Sequence, residues 1–355
     1  MTHRWLDEVE ALAREALPSA VFRYVAEGAR DEISLGEATP AWDAVRLAPR
    51  VLRDVRTIDT GTTLMGTDYA VPIGIAPMTL QRAADPGGEV TMAVAAERAG
   101  VPMVLSSNAG STFAEVAATG AHWWLQVYVA AERRETVPML EAAAAAGAKA
   151  VVLTADTPVL GTRYPMAEGP GIWEVADAGW IGANAATPTG LDPADRGKAM
   201  DLGPADIGWL ADTTGLPVVV KGVLRPDDAH QCVAAGAAAV WVSNHGGRQL
   251  DQVVATAQCV EAVRSAVGES AEVYVDGGIR SGLHALIALA LGADAAFVGR
   301  PLFHALAADG GAGVHRALEE YSRELVEALR LAGCARPQDA RGIVAPAGEP
   351  GRDQP

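Results

Sequence analysis

From residue 71 onward the chain alternates between short apolar runs rich in β-branched residues and Ala-rich stretches that close on glycine. The runs are VPIGIAPM, PMVLSS, HWWLQVYV, AVVLTAD, PVVVKGV, AVWVSNHG, EVYVDGGI and AAFVGRP, beginning at Val71, Pro102, His122, Ala150, Pro217, Ala239, Glu272 and Ala295. Runs without polar alternation are expected of parallel strands covered on both faces. Between them, GGEVTMAVAAERAG, ETVPMLEAAAAAG and LHALIALALG read as helices, with Gly100, Gly147, Gly236 and Gly292 as C-terminal caps. Eight such units predict an α/β fold, a closed (β/α)8 (TIM) barrel over residues 71–345. An open doubly wound sheet shows the same alternation. The count of eight favours closure, and no GxGxxG follows the first run.

Two segments fall outside the repeat. Residues 1–70 read as a helical N-terminal cap on one barrel end. Residues 164–205, after the fourth run, lack a period and are rich in Gly, Pro and Ala, with Trp173 and Trp180. A long irregular insertion on the catalytic side is expected to be a lid or loop; a disordered linker is the alternative. Residues 346–355 read as a frayed tail.

Composition narrows the classes. Half of the 355 residues are hydrophobic, enough for one large core or two modest ones. A net charge of −16 argues against nucleic-acid binding and against adhesion to anionic membranes. Any anionic ligand therefore needs local cations. Cys232, Cys259 and Cys334 form no CxxC pair and suggest neither disulfides nor zinc. The amphipathic start, MTHRWLDEVEALAREALP, does not read as a signal peptide, and no apolar run reaches spanning length, so a cytoplasmic location is expected.

The chemistry gathers where the runs end. The string VSNHGGRQLD, Val242 to Asp251, sets His245 three residues before Arg248, beside Gly246 and Gly247. A histidine can take a proton near neutral pH, and an arginine can grip a carboxylate through two N–H bonds. Other run ends carry Ser106 and Ser107; Gln126 and Tyr128; Thr154, Asp156 and Arg163; Lys221; Ser243 and Asn244; Asp276, Gly277, Gly278 and Arg280; and Gly299 and Arg300. Gln126 and Tyr128 share a strand face, as do Thr154 and Asp156. DGGIRSG and VGRP, at the seventh and eighth run ends, occupy the usual phosphate position of such barrels. Lys221, following PVVV, needs a ligand or an acid partner if it is buried; a Schiff base and a place beside a reduced cofactor ring both suit it. Asp156 beside His245 would orient the imidazole and steady its charged form. His3, His122, His230, His284, His304 and His315 read as surface or packing residues, and no metal motif is present.

The motifs VKGV, SNHGGRQLD, DGGIRSG and GRP, in this order, resemble those of the FMN-dependent 2-hydroxy-acid oxidase and dehydrogenase family, which includes glycolate oxidase, lactate oxidase and mandelate dehydrogenase. The resemblance runs from LPSAVFRYVAEGA to LAGC. It implies FMN as cofactor and conversion of an (S)-2-hydroxy acid to a 2-oxo acid, with the flavin reoxidised by O2 or another acceptor. It further implies His245 as base paired with Asp156, Arg163 and Arg248 as carboxylate clamp helped by Tyr24, and Tyr128 on the substrate hydroxyl or carboxylate. Lys221 would face the flavin N1/O2 edge, and Ser106, Gln126 and Thr154 the ring, with Pro77, Met78 and Ser243 among the further cofactor contacts. Asp276, Gly278, Arg280, Gly299 and Arg300 would hold the ribityl phosphate. A homotetramer is implied by the family alone. Three departures stand out: Met78 and Thr79 where a small pair is usual, Asn108 where several relatives carry an aromatic residue, and RYPMAEGPG, from Arg163 on, where a charged continuation is usual. A redox-neutral FMN-dependent isomerase and a non-catalytic flavin-binding barrel are the competing readings.

Overall fold

The computed structural model describes residues 4–164, 170–185 and 197–346. All eight expected runs are strands: β3 (Ile73–Ile75), β4 (Met103–Ser106), β5 (Trp123–Val127), β6 (Val151–Thr154), β7 (Val218–Val223), β8 (Ala239–Val242), β9 (Glu272–Val275) and β10 (Ala295–Val298). They pair in parallel in sequence order, and β10 returns to β3, so the barrel closes and the open-sheet alternative falls. The helices that alternate with them or precede them are α1 (Val9–Ala16), α2 (Ser19–Ala26), α3 (Ile33–Asp43), α4 (Gln81–Ala84), α5 (Gly88–Ala99), α6 (Phe113–Ala117), α7 (Val137–Ala145), α8 (Ile172–Val175), α9 (Pro204–Thr214), α10 (Pro226–Ala234), α11 (Val260–Val267), α12 (Gly282–Ala290) and α13 (Arg300–Ala332), the last broken at Asp309–Gly310. Gly100, Gly147, Gly236 and Gly292 all take positive φ just past their helices, as expected of C-terminal caps.

The strands are apolar on both faces because each face meets a different core. Outward side chains such as Val151, Val218, Val240 and Val273 pack beneath the helices. Inward ones form a separate cluster of Val104, Trp124, Val152, Val219, Trp241, Tyr274 and Phe297. Four aromatic rings fill the barrel axis, with Trp241 and Phe297 centroids 4.1 Å apart and Trp124 and Tyr274 5.4 Å apart. The interior is thus a packed plug rather than a pore.

The first seventy residues are not helical throughout. Residues 62–69 form a hairpin of β1 (Thr62–Leu64) and β2 (Thr67–Tyr69), whose Leu64 and Tyr69 join the inward cluster. Met65 N–H donates to Glu272 at the start of β9 (3.0 Å), so the hairpin closes the barrel end where strands begin. That leaves the opposite end, where strands finish, for a site. Of the insertion expected over 164–205, residues 165–169 and 186–196 lie outside the described residues, as does the tail beyond 346. The described part contains α8 and a 3-10 turn, Ala178–Trp180, whose Ile172 and Ile181 pack with Val21 and Phe22 of α2.

Candidate active site at the carboxyl ends of the strands

The pocket at this end is lined by residues from every barrel strand end and from α2, among them Tyr24, Ser106, Gln126, Tyr128, Thr154, Lys221 and His245. It brings together nearly all of the residues expected from the sequence. Pro77, Met78, Arg163, Arg248, Asp276, Gly278, Arg280, Gly299 and Arg300 line it directly. Asp156 and Ser243 stand behind, holding lining residues in place.

His245 opens a tight turn. Its own φ is 57°, and Gly246 and Gly247 follow at 68° and 73°. A non-glycine residue in this region is uncommon and persists where its surroundings dictate it. Here the N–H of His245 donates to Ser243 Oγ (3.1 Å), and Gly247 N–H closes back on the Asn244 carbonyl (3.0 Å). The imidazole is held by Asp156, whose Oδ1 lies 2.9 Å from His245 Nδ1. Its other nitrogen, Nε2, faces the Tyr128 hydroxyl at 3.5 Å, inside the pocket. Asp156 reaches this position because β7 bulges at Gly222, at φ 108°, where a Cβ would lie 2.6 Å from that of Asp156. Burial opposes the charge on Asp156, but His245, Lys221 and the Thr157 hydroxyl outweigh it and hold the carboxyl below its ordinary range. Burial, followed by the nearby Asp156 charge, pushes the Tyr128 phenol well above its own. Tyr128 is therefore a neutral hydroxyl.

Sequence reasoning missed the braces of this pair. Thr157 Oγ1 donates to Asp156 (3.0 Å) and accepts from Gln249, whose Oε1 in turn takes the N–H of Gly161 (2.7 Å). Gln249 was visible as the residue after Arg248, but nothing in its spacing marks it as a brace. Leu160 and Lys198 also line the pocket without a motif to announce them.

Two polar chains run laterally across neighbouring strand ends. Gln126 Nε2 donates to Thr154 Oγ1 (2.9 Å), and Ser106 Oγ donates to Gln126 Oε1 (3.2 Å). On the other side Lys221 Nζ donates to Ser243 Oγ (2.7 Å) and pairs with Asp276 (2.8 Å), which also accepts from Ser243 Oγ (2.6 Å). Asp276 is thus the acid partner that a buried Lys221 needs. Its carboxylate is engaged with Lys221 and Ser243, not turned to repel an anion.

The cations cluster on α2. Arg248 donates to the carbonyls of Tyr24 (2.7 Å), Val25 (3.2 Å) and Glu27 (2.9 Å). Arg300 donates to those of Val25 (2.8 Å), Glu27 (3.4 Å) and Gly246 (2.9 Å). Both satisfy carbonyls that α2 leaves unpaired at its C-terminal end, where the helix dipole favours positive charge. Arg163 and Arg248 both lie over the Tyr24 ring, at 4.8 and 5.0 Å from its centroid. Burial, then Arg163, lowers Arg248 to about 10; burial, then Arg248 and Arg280, lowers Arg300 well below its usual value. Half-buried like charges gathered in one place call for an anion. Arg300 opens α13 and Arg280 precedes α12, so helix N-termini add to the attraction. Gly277 and Gly278, at φ 89° and 79°, turn the chain tightly there. His304, stacked on Phe22 at 5.7 Å, is driven to about 3 by burial and by Arg280, Arg300 and Arg14, and is a neutral packing residue.

These features fit FMN: a cation cluster at two helix N-termini suits its phosphate, and Lys221 with the Ser106–Gln126–Thr154 chain offers donors and acceptors to a polar ring. Fold and site together define a barrel whose mouth sets an Asp156-oriented histidine beside a cation cluster suited to a phosphate-bearing cofactor.

The comparisons with known proteins make this specific. The model of the family described as FMN-dependent dehydrogenase matches residues 13–345. The chain is 40% identical to an L-lactate oxidase of Nostoc sp., covering 94% of this chain and 95% of the relative. It is 41% identical to glycolate oxidase 3 of Arabidopsis thaliana (92% and 91%) and 37% identical to a 4-hydroxymandelate oxidase of Amycolatopsis orientalis (97% and 98%). Among solved structures, a mandelate oxidase with (S)-4-hydroxymandelic acid superposes with TM-score 0.85 at 35% identity, covering 95% of this chain and 97% of that one. The chain belongs to the FMN-dependent dehydrogenase family, and it is an oxidoreductase with FMN as its cofactor. No helix among the described residues is long and apolar enough to cross a membrane.

Proposed function

We propose that the protein oxidises an (S)-2-hydroxy acid to the corresponding 2-oxo acid. The observation that carries this reading is the arrangement around one pocket of an Asp156-oriented imidazole, its Nε2 facing Tyr128, and the half-buried pair Arg163 and Arg248. The arginines hold the substrate carboxylate against Tyr24, and Tyr128 fixes the substrate through its neutral hydroxyl. His245 Nε2 takes a proton from the bound acid, at the hydroxyl or at the α-carbon, and Asp156 steadies the imidazolium that results. FMN, when bound, would supply the two-electron acceptor, with O2 or another acceptor taking the electrons afterwards. Lys221, Ser243, Ser106, Gln126, Thr154, Pro77 and Met78 would contact its ring, and Gly278, Arg280, Gly299 and Arg300 would hold its phosphate. The names of the relatives above support this substrate class.

The test is an anaerobic titration of the holoprotein with lactate, glycolate, mandelate and longer 2-hydroxy acids, followed by air. Bleaching of the flavin band by one of them is the expected result, and the rate of recolouring in air distinguishes oxidase from dehydrogenase. A flavin that none of these acids bleaches, in a protein with full FMN content, would overturn the reading.

A further inference from the structure

The turn after β9, Asp276 to Arg280, meets the N-terminal segment through one face of α3. Thr39 is followed by Trp42 three residues on and by Asp43 four residues on, spacings that set side chains next to one another on a helix. Trp42 Nε1 donates to the Gly277 carbonyl (2.7 Å), and Thr39 Oγ1 donates to that of Gly278 (3.1 Å). Asp43 reaches instead to His284, in the first turn of α12, with its Oδ1 2.9 Å from His284 Nε2. A Cβ on Gly278 would lie 2.2 Å from the Ala38 carbonyl oxygen, so helix and turn are in direct contact.

The other nitrogen of His284 faces the turn. The main-chain N–H of Arg280 donates to His284 Nδ1 (3.2 Å). A main-chain nitrogen can only donate, so Nδ1 carries no proton, and the ring proton sits on Nε2 and is donated to Asp43. Burial holds the imidazole below its ordinary pKa against the opposing pull of Asp43, which agrees with a neutral ring. His284 is 7% exposed, so an Arg280 N–H without its acceptor would be costly. The ring is itself anchored, because the main-chain N–H of His284 donates to Ser281 Oγ (3.0 Å). On its far side the Arg280 carbonyl accepts from Arg4 (2.7 Å). The main chain of Arg280 is thus gripped before and after its Cα, while its side chain lines the pocket.

We propose that His284 is a positioning residue for the cofactor phosphate: as a hydrogen-bond acceptor it fixes the main chain of Arg280, and through Asp43 it makes α3 part of the phosphate site. This rests on the assignment of Arg280 to the phosphate of FMN. The role requires an acceptor at the place of Nδ1. An apolar side chain there leaves the Arg280 N–H unpaired and frees the turn to carry its guanidinium elsewhere, whereas the carbonyl of an asparagine keeps the bond. Ser106, Gln126, Thr154 and Lys221, assigned to the flavin ring, stand on β4 to β7, so the loss falls on the phosphate and not on the ring.

The test titrates the full-length chain, freed of its flavin, with FMN and with riboflavin, which has the same ring and ribityl chain without the phosphate, and follows flavin fluorescence. The ratio of the two dissociation constants measures the phosphate contribution, and the native protein should favour FMN. His284→Leu should lower that preference about tenfold, the scale of one buried donor left unpaired, with riboflavin binding unchanged. His284→Asn should restore it to within about threefold of native. Asp43→Ala, at an exposed position, should lower it about twofold and decides the question if the leucine chain does not fold. A preference unchanged in His284→Leu, or in Asp43→Ala where only that chain folds, overturns the assignment, as does a loss shared equally by FMN and riboflavin. Arg280→Met separates this inference from the reading beneath it. A preference that Arg280→Met leaves intact sinks the placement of the phosphate at Arg280, whereas one lost in Arg280→Met and kept in His284→Leu sinks the role of His284 alone.

Discussion

Replacing Asp156 by Asn probes the centre of the site with the smallest change of shape. The carboxylate takes one hydrogen bond from His245 Nδ1 at 2.9 Å and one from Thr157 at 3.0 Å, and Oδ2 has no partner among the described residues. A hydrogen bond to a charged group is worth about 1.5–3 kcal/mol net. The attraction between a carboxylate and an imidazolium at this range adds up to about 4 kcal/mol at the dielectric that suits protein sites. The two overlap, so a loss of about 3–4 kcal/mol is expected when the imidazole becomes charged. At 1.36 kcal/mol per decade, reduction of the flavin by substrate slows about 10²- to 10³-fold. The amide also offers an N–H to His245 Nδ1, which selects the tautomer with its proton on Nε2, the wrong side for a base. Substrate affinity should change little, because Asp156 touches neither Arg163 nor Arg248. Rapid mixing under anaerobic conditions reads the reduction rate, and its dependence on substrate concentration reads the affinity. A loss below about tenfold, or one explained by missing FMN, would refute the role given to this pair.

Two further outcomes follow from the same geometry. Asp156 has a depressed pKa in the folded protein, so it contributes stability above the ordinary carboxylate range, and that contribution is lost as pH falls through its folded value; the difference in Tm between native and Asp156→Asn proteins should therefore narrow on acidification below pH ~4, and a gap that widens there would contradict the assignment. Gly278→Ala places a Cβ 2.2 Å from the Ala38 carbonyl at a φ of 79°, so a cost of about 3 kcal/mol from strain and overlap is expected, seen as a lowered Tm with weakened FMN retention, and an unchanged melting curve would show that α3 yields freely.

The barrel was legible because burial on both faces leaves a signature that needs no partner to read. Each strand lies in a short, mostly apolar run, and the number of such runs implies closure. The hairpin at residues 62–69 was not, because its three-residue strands bury only Leu64 and Tyr69 and alternate too briefly to show a period. His245 and Asp156 were legible as residue types at strand ends. Their braces were not, since Thr157 and Gln249 act through contacts that only the folded loops create. Lys221 was visible as a buried cation in want of a partner, but the identity of that partner, Asp276, depends on β7, β8 and β9 lying side by side.

The arginines show why the N-terminal segment and the barrel make one site. A guanidinium bound to main-chain carbonyls leaves no trace in sequence, because every residue has a carbonyl. Arg248 follows β8 and Arg300 follows β10, yet both are fixed by the end of α2, far away in the chain. Helix C-termini offer unpaired carbonyls and partial negative charge, worth about 0.3–1 kcal/mol per cation and more when partly buried. That interaction offsets part of the cost of holding Arg163, Arg248 and Arg300 together, partly shielded from water. The chain as a whole is acidic, so bulk charge cannot attract an anionic substrate. The local field that does so depends on α2 ending where it does, with Tyr24 of the same helix forming the surface on which two of the arginines rest.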